Sequence, residues 1–164
     1  MSLLQIVVLL VAAQRLIELA IARRNTTRLL AAGGYEVGAA HYPLFVLLHG
    51  TWLAALLLFI PAGAPVNWPL LGLFALLQLG RVWVIASLSG RWTTRIIVCP
   101  DEPLSRRGPY RYLRHPNYVI VAAEIAVLPL AFGAWQIAAT FSVVNLALLA
   151  WRVRAEDRAL ESLR

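Results

Sequence analysis

Ser105-Arg-Arg-Gly-Pro-Tyr-Arg-Tyr-Leu-Arg-His-Pro-Asn-Tyr118 sits between long apolar segments and carries four arginines, three tyrosines, a histidine and two prolines. A run this polar and aromatic, wedged against a membrane, is hard to read as a mere connector. Arg111 and Arg114 offer cationic donors, Tyr110, Tyr112 and Tyr118 offer aromatic faces, and Pro116 marks a helix start. Proline suits the first helical turn, where its missing N–H has no intrahelical partner to lose. It also drives the preceding His115 toward extended backbone. The segment after it, 117–132, reads as a membrane helix. Its N-terminal end, where unpaired N–H groups concentrate, faces the polar loop and suits a carboxylate or phosphate.

Outward from this loop the chain is strongly apolar: 60% hydrophobic, 14% charged, mean hydropathy +0.71. That exceeds the usual apolar share of a globular domain, and several runs are long enough to cross a bilayer. The expected fold is all-α: a single polytopic membrane domain over 1–164 with five transmembrane helices, at 3–22, 42–60, 68–88, 117–132 and 135–151. The last continues as a polar helix. The first lacks a basic start and a cleavage site, so it reads as a membrane helix rather than a signal peptide. The net charge of +7 sits in the connectors at 23–40 and 89–116 and in the C-terminal tail. That is the pattern of membrane topology and anionic headgroups, not of nucleic-acid binding. It sets the N-terminus outside and the C-terminus in the cytoplasm, with the polar loop on the cytoplasmic side. Every basic residue is arginine, a usage associated with GC-rich bacterial genomes, and the expected location is the bacterial inner membrane. The single Cys99 excludes an intramolecular disulfide and a multi-cysteine metal site.

Ionisable groups at membrane depth are costly and usually point into the bundle. Arg15 and Glu18, three apart, can pair on one helix face, either to fix helix packing or to line the polar end of a cavity. His49 has no second ligand at i+3 or i+4, so it reads as a packing histidine and no metal site is expected. Residues 23–40 read as a polar connector, and 92–98 is β-prone. The loop 89–114 is long, and loops of that length inside a compact protein tend to be functional. Arg152 and Glu156, four apart on a helix, share a face. Spacing alone leaves open a surface salt bridge or a binding pair.

The run Gly108-Pro-Tyr-Arg-Tyr-Leu-Arg-His-Pro-Asn-Tyr118, followed by Arg152-Val-Arg-Ala-Glu156, resembles the isoprenylcysteine carboxyl methyltransferase family of integral membrane enzymes. Arg15-Leu-Ile-Glu18, Arg23-Arg-Asn25 and His41-Tyr-Pro43 resemble a short bacterial branch associated with methylation of alkylpyrone-type lipids. The resemblance implies S-adenosyl-L-methionine as methyl donor, with the cofactor region at about 92–164. It implies that Tyr110, His115, Pro116, Asn117 and Tyr118 line the cofactor site, beside backbone contacts from Glu102, Pro103, Leu104 and Ser105. Glu156 would contact the cofactor and Arg152 the acceptor's carboxylate or oxyanion. Arg114 would serve acceptor or cofactor, or else pair with lipid phosphate. The acceptor would be a prenylated or other lipophilic molecule entering from the bilayer. The aromatic-rich tail that follows Arg-x-x-x-Glu in the eukaryotic members is not matched here, which shifts the expectation toward a free lipid-like acceptor. A carboxylate or acidic enol is already ionised near neutral pH. A simple phenol, with a pKa near 10, wants a general base, for which Glu18, Glu124 and His41 are conceivable.

Two other classes compete. Arg-His-Pro-Asn-Tyr also resembles a segment of NADPH-dependent membrane sterol reductases, but the acidic residue expected soon after the tyrosine comes only at Glu124. A non-catalytic scaffold binding anionic lipid explains the loop charge, but not the clustered tyrosines or the Arg152/Glu156 pair.

Overall fold

The computed structural model describes residues 1–100, 103 and 105–161. Five α-helices account for most of the chain: α1 (Leu3–Ala31), α2 (His41–Phe59), α3 (Trp68–Leu88), α4 (Pro116–Ala131) and α5 (Trp135–Leu160). Each end has a local cause. Ser2 and Gln5 form a reciprocal capping box on α1, satisfying two otherwise orphaned donors. Asn67 caps α3 by accepting from the Leu70 N–H at 3.1 Å, with Pro69 in the first turn. α2 stops before Pro61, which forces Ile60 to extended backbone. Pro116 opens α4 at its first turn, as expected. Gly133, at φ +75°, turns the chain between α4 and α5.

Two expectations need correction. The connector after the first span is not irregular: α1 runs nine residues past Ala22. Arg, Leu and Ala favour helix there, and tertiary contacts hold the extension. Asn25 Nδ2 donates to the Trp92 carbonyl at 2.8 Å and Arg28 Nη2 to the Gly90 carbonyl at 2.5 Å. The chain is also not purely helical. β1 (Tyr35–Val37) pairs antiparallel with β2 (Ile96–Val98), in the register Tyr35↔Val98, Glu36↔Ile97, Val37↔Ile96. An Arg95–Glu36 ion pair at 2.9 Å ties the ribbon's edge.

Among the described residues, four helices, α1, α2, α3 with its short extension, and α5, are long and apolar enough to cross a membrane. α4, at 16 residues, spans only about 24 Å and is packed between α3 and α5, with Val121, Ile125 and Leu128 buried. These meet Val8, Trp52, Leu56 and Phe74 in the apolar core. The outer helix faces stay greasy: Leu58 is 77% exposed and Val143 70%. Helices that are apolar all round belong in hydrocarbon, and the chain is an integral membrane protein.

Candidate functional site

Two polar structures occupy the bundle, and a cavity of about 450 Å³ touches both. The deeper one joins α1, α3 and α4. Glu18 receives Arg81 through both oxygens, Nε to Oε1 and Nη2 to Oε2, each at 2.6 Å. It also receives Arg15 Nη1 at 2.9 Å and Gln14 Nε2 at 3.0 Å. Arg15 Nη2 reaches across to Glu124 Oε2 at 2.6 Å, while Gln78 Nε2 donates to Glu124 Oε1 at 2.8 Å. Two arginines and two glutamates make the cluster formally neutral, and every carboxylate oxygen has a donor. This is how buried charge is tolerated. It also removes Glu18 as a candidate base, because its lone pairs are already committed, and Glu124 does not line the cavity.

The second structure sits where α4 begins and α5 turns polar. The Tyr118 hydroxyl donates to Glu156 Oε2 and accepts from Arg152 Nε at 2.7 Å. Arg152 Nη2 donates to the Thr94 carbonyl at 2.7 Å, and the guanidinium lies over the rings of Phe45 and Tyr118 at 5.2 and 5.7 Å. Arg152 is only 7% exposed, so the helical pair is no surface salt bridge: its members meet through the tyrosine. His115 stacks on Tyr118 with centroids 5.3 Å apart. Its ring nitrogens face the Glu156 and Asp157 carboxylates at 3.7 and 3.3 Å.

Of the residues expected in the site, Tyr110, Arg114, His115, Asn117, Tyr118, Arg152 and Glu156 line this one cavity. Burial pushes the Tyr110 phenol up, reinforced by the Glu156 charge, so it stays a protonated donor near neutral pH. Asn117 Oδ1 is buried on the wall without a hydrogen-bond partner among the described residues. Pro116 is buried but is not among the lining residues, and serves as the helix start. Pro103 is exposed, its carbonyl accepting from Arg91 Nη2 at 2.8 Å. Ser105 Oγ accepts from the Arg107 N–H at 3.4 Å. Neither Pro103 nor Ser105 lines the cavity. Glu102 and Leu104 lie outside the described residues. His41 packs edge-on against Trp151, centroids 3.9 Å apart, and is not on the cavity wall.

The sequence reading missed the opposite wall. α1 supplies Ala12, Leu16 and Leu19, and α2 supplies Tyr42, Phe45, Val46 and Leu53. No local pattern marks them, since apolar side chains surround most of α2 and, apart from the face of Gln14, Arg15 and Glu18, most of the 3–22 stretch of α1. Leu16 and Val46 line the cavity yet are 67% and 46% exposed, so the apolar end opens toward lipid between α1 and α2.

Gly108 holds the aromatic loop against α3. It adopts φ +54°, and a Cβ there would collide with the Ser87 side chain and approach Trp83 Nε1. Gly108→Ala is expected to destabilise the protein by about 1–3 kcal/mol, combining left-handed strain with the clash. Thermal unfolding in detergent reads this directly, and an unchanged midpoint would show that the loop can retreat.

The model of the isoprenylcysteine carboxyl methyltransferase family matches residues 70–162. The uncharacterized protein YpbQ of Bacillus subtilis is 37% identical over 153 residues, covering 90% of each chain. An uncharacterized protein of Haemophilus influenzae is 27% identical over 157 residues, covering 91% of this chain and 90% of its own. No solved structure matches the chain.

Proposed function

The chain belongs to the isoprenylcysteine carboxyl methyltransferase family, and from that premise we propose that it is an S-adenosyl-L-methionine-dependent O-methyltransferase acting on a lipophilic acceptor. One observation carries this reading: a single cavity joins a lipid-facing apolar mouth to a cluster of Arg152, Tyr118 and Glu156. A greasy acceptor and a water-soluble donor need such a two-natured site. The volume lies within the range of small-molecule pockets, roughly 300–1,000 Å³.

The residues present fit the donor. Asn117 Oδ1, buried and unpartnered, is an acceptor awaiting an N–H. Glu156 is a partly exposed carboxylate suited to an ammonium group, and the Tyr110 phenol is a protonated donor beside them. When bound, S-adenosylmethionine supplies a methyl group made electrophilic by its sulfonium. The chain's own work is alignment, which is worth roughly 7–11 kcal/mol when the reacting atoms are well oriented. Arg152 is oriented for this by three fixed contacts: the Tyr118 hydroxyl, the Thr94 carbonyl and the Phe45 ring. Among the described residues its Nη1 has no partner, which leaves a donor for an acceptor oxygen. The apolar walls of α1 and α2 would hold the acceptor's tail.

The charge pattern supports a cytoplasmic position for the polar end of the cavity, in a bacterial inner membrane with the N-terminus outside. A fifth crossing by α4 is compatible with its shortness, because it is wrapped by α3 and α5 and need not match the hydrocarbon thickness alone.

In calorimetry of the purified protein, S-adenosylhomocysteine is expected to bind and NADPH not to. Glu156→Gln should weaken that binding about 10–100-fold, as expected for one charge-assisted hydrogen bond. Incubation with methyl-labelled donor followed by lipid extraction should carry label into the organic phase. NADPH binding without S-adenosylhomocysteine binding would overturn the reading.

A further inference from the structure

We propose that His49 is the general base that takes the proton from an acceptor hydroxyl in this cavity, an inference that rests on the methyl-transfer reading for its reaction but not for its proton transfer. His49 lies in α2, one turn beyond Phe45, and lines the cavity. Its Nδ1 is 2.8 Å from the Phe45 carbonyl oxygen. A carbonyl oxygen only accepts, so the ring hydrogen is on Nδ1, and the neutral ring carries its lone pair on Nε2. No hydrogen bond from a described residue reaches Nε2. The main chain thus fixes the tautomer and leaves the basic nitrogen to whatever enters the cavity.

Phe45 links this base to the anion site. Its ring carries the Arg152 guanidinium while its carbonyl holds His49, which lies four residues and about 6 Å of rise further along α2. The alternatives are spent: Glu18 already accepts four hydrogen bonds, and Glu124 and His41 lie off the cavity wall. In the step itself the acceptor's O–H proton passes to His49 Nε2, and the oxygen lone pair forms the new O–C bond. The C–S bond of the sulfonium breaks with its electron pair staying on sulfur, which leaves as a neutral thioether. The imidazolium then gives its proton to water.

The test uses 4-nitrophenol bearing a decyl chain, whose phenolate absorbs in the visible. Bound to the whole protein without methyl donor, it should show a larger phenolate fraction than in detergent alone, and His49→Asn should abolish that excess. Asparagine can still donate to the Phe45 carbonyl, and His49→Gln, which keeps an amide near the Nε2 position without basicity, guards against a folding failure. With donor present, both variants should lose about 10²–10⁴-fold in methyl transfer to 4-decylphenol, a simple phenol that stays protonated near neutral pH. Toward hexadecanoate, already ionised, they should stay within about threefold of wild type. An undiminished phenolate excess in both variants, or equal losses on the two acceptors, would overturn the assignment. A His49-dependent phenolate in a protein that methylates neither acceptor would instead keep the base and sink the methyl-transfer reading.

Discussion

Arg81→Met should lower stability by about 3–5 kcal/mol, the largest structural effect expected of any single substitution here. Arg81 is 5% exposed and is the bidentate partner of Glu18, while its Nη1 lies 3.5 Å from Glu124. Removing it leaves two buried carboxylates facing Arg15 alone, and an uncompensated charge is what makes breaking a buried pair so costly. The energy at stake is thus the burial of one orphaned anion more than the loss of contacts. A second variant separates these: in Arg81→Met with Glu18→Gln, Arg15 and Glu124 remain as a balanced pair at 2.6 Å, so most of the loss should return. Denaturant or thermal unfolding in detergent measures both. A loss below about 1 kcal/mol for the single variant, or no recovery in the double, would show that the cluster does not hold α1, α3 and α4 together.

Arg152→Ala should cost about 10²–10³-fold in kcat/KM while leaving S-adenosylhomocysteine affinity within a few-fold of wild type, in line with losing one preorganised donor at a developing charge. Lysine should not rescue it. A single ammonium cannot donate to Tyr118 and Thr94 in a planar fork while lying over Phe45. Tyr118→Phe should cost less, because it removes the bridge to Glu156 but leaves the Thr94 and Phe45 contacts of Arg152. The two losses should be non-additive, since both act through one arrangement. Additive losses would mean that Tyr118 does not orient Arg152. Full activity in Arg152→Ala would remove it from the site altogether.

Much of this molecule is local and was therefore readable in its residues. Apolar runs of span length announced the bilayer, Pro116 announced the start of α4, and the β-prone 92–98 stretch held the second strand. The four-residue spacing of Arg152 and Glu156 set them on one face, because helical periodicity is a property of a short window. What pairs with what over long separations was decided by tertiary structure alone. Glu18 finds Arg81 63 positions away, and Arg15 finds Glu124 109 positions away. Tyr118 meets Glu156 and Arg152 over 38 and 34 residues, and β1 finds β2 across a whole helical hairpin. The extension of α1 depends likewise on carbonyls of Gly90 and Trp92 that only folding brings near. The lipid-facing wall of the cavity was invisible for a related reason: where a helix carries several apolar faces, composition cannot say which meets lipid and which meets a ligand, and only the packing of its neighbours chooses.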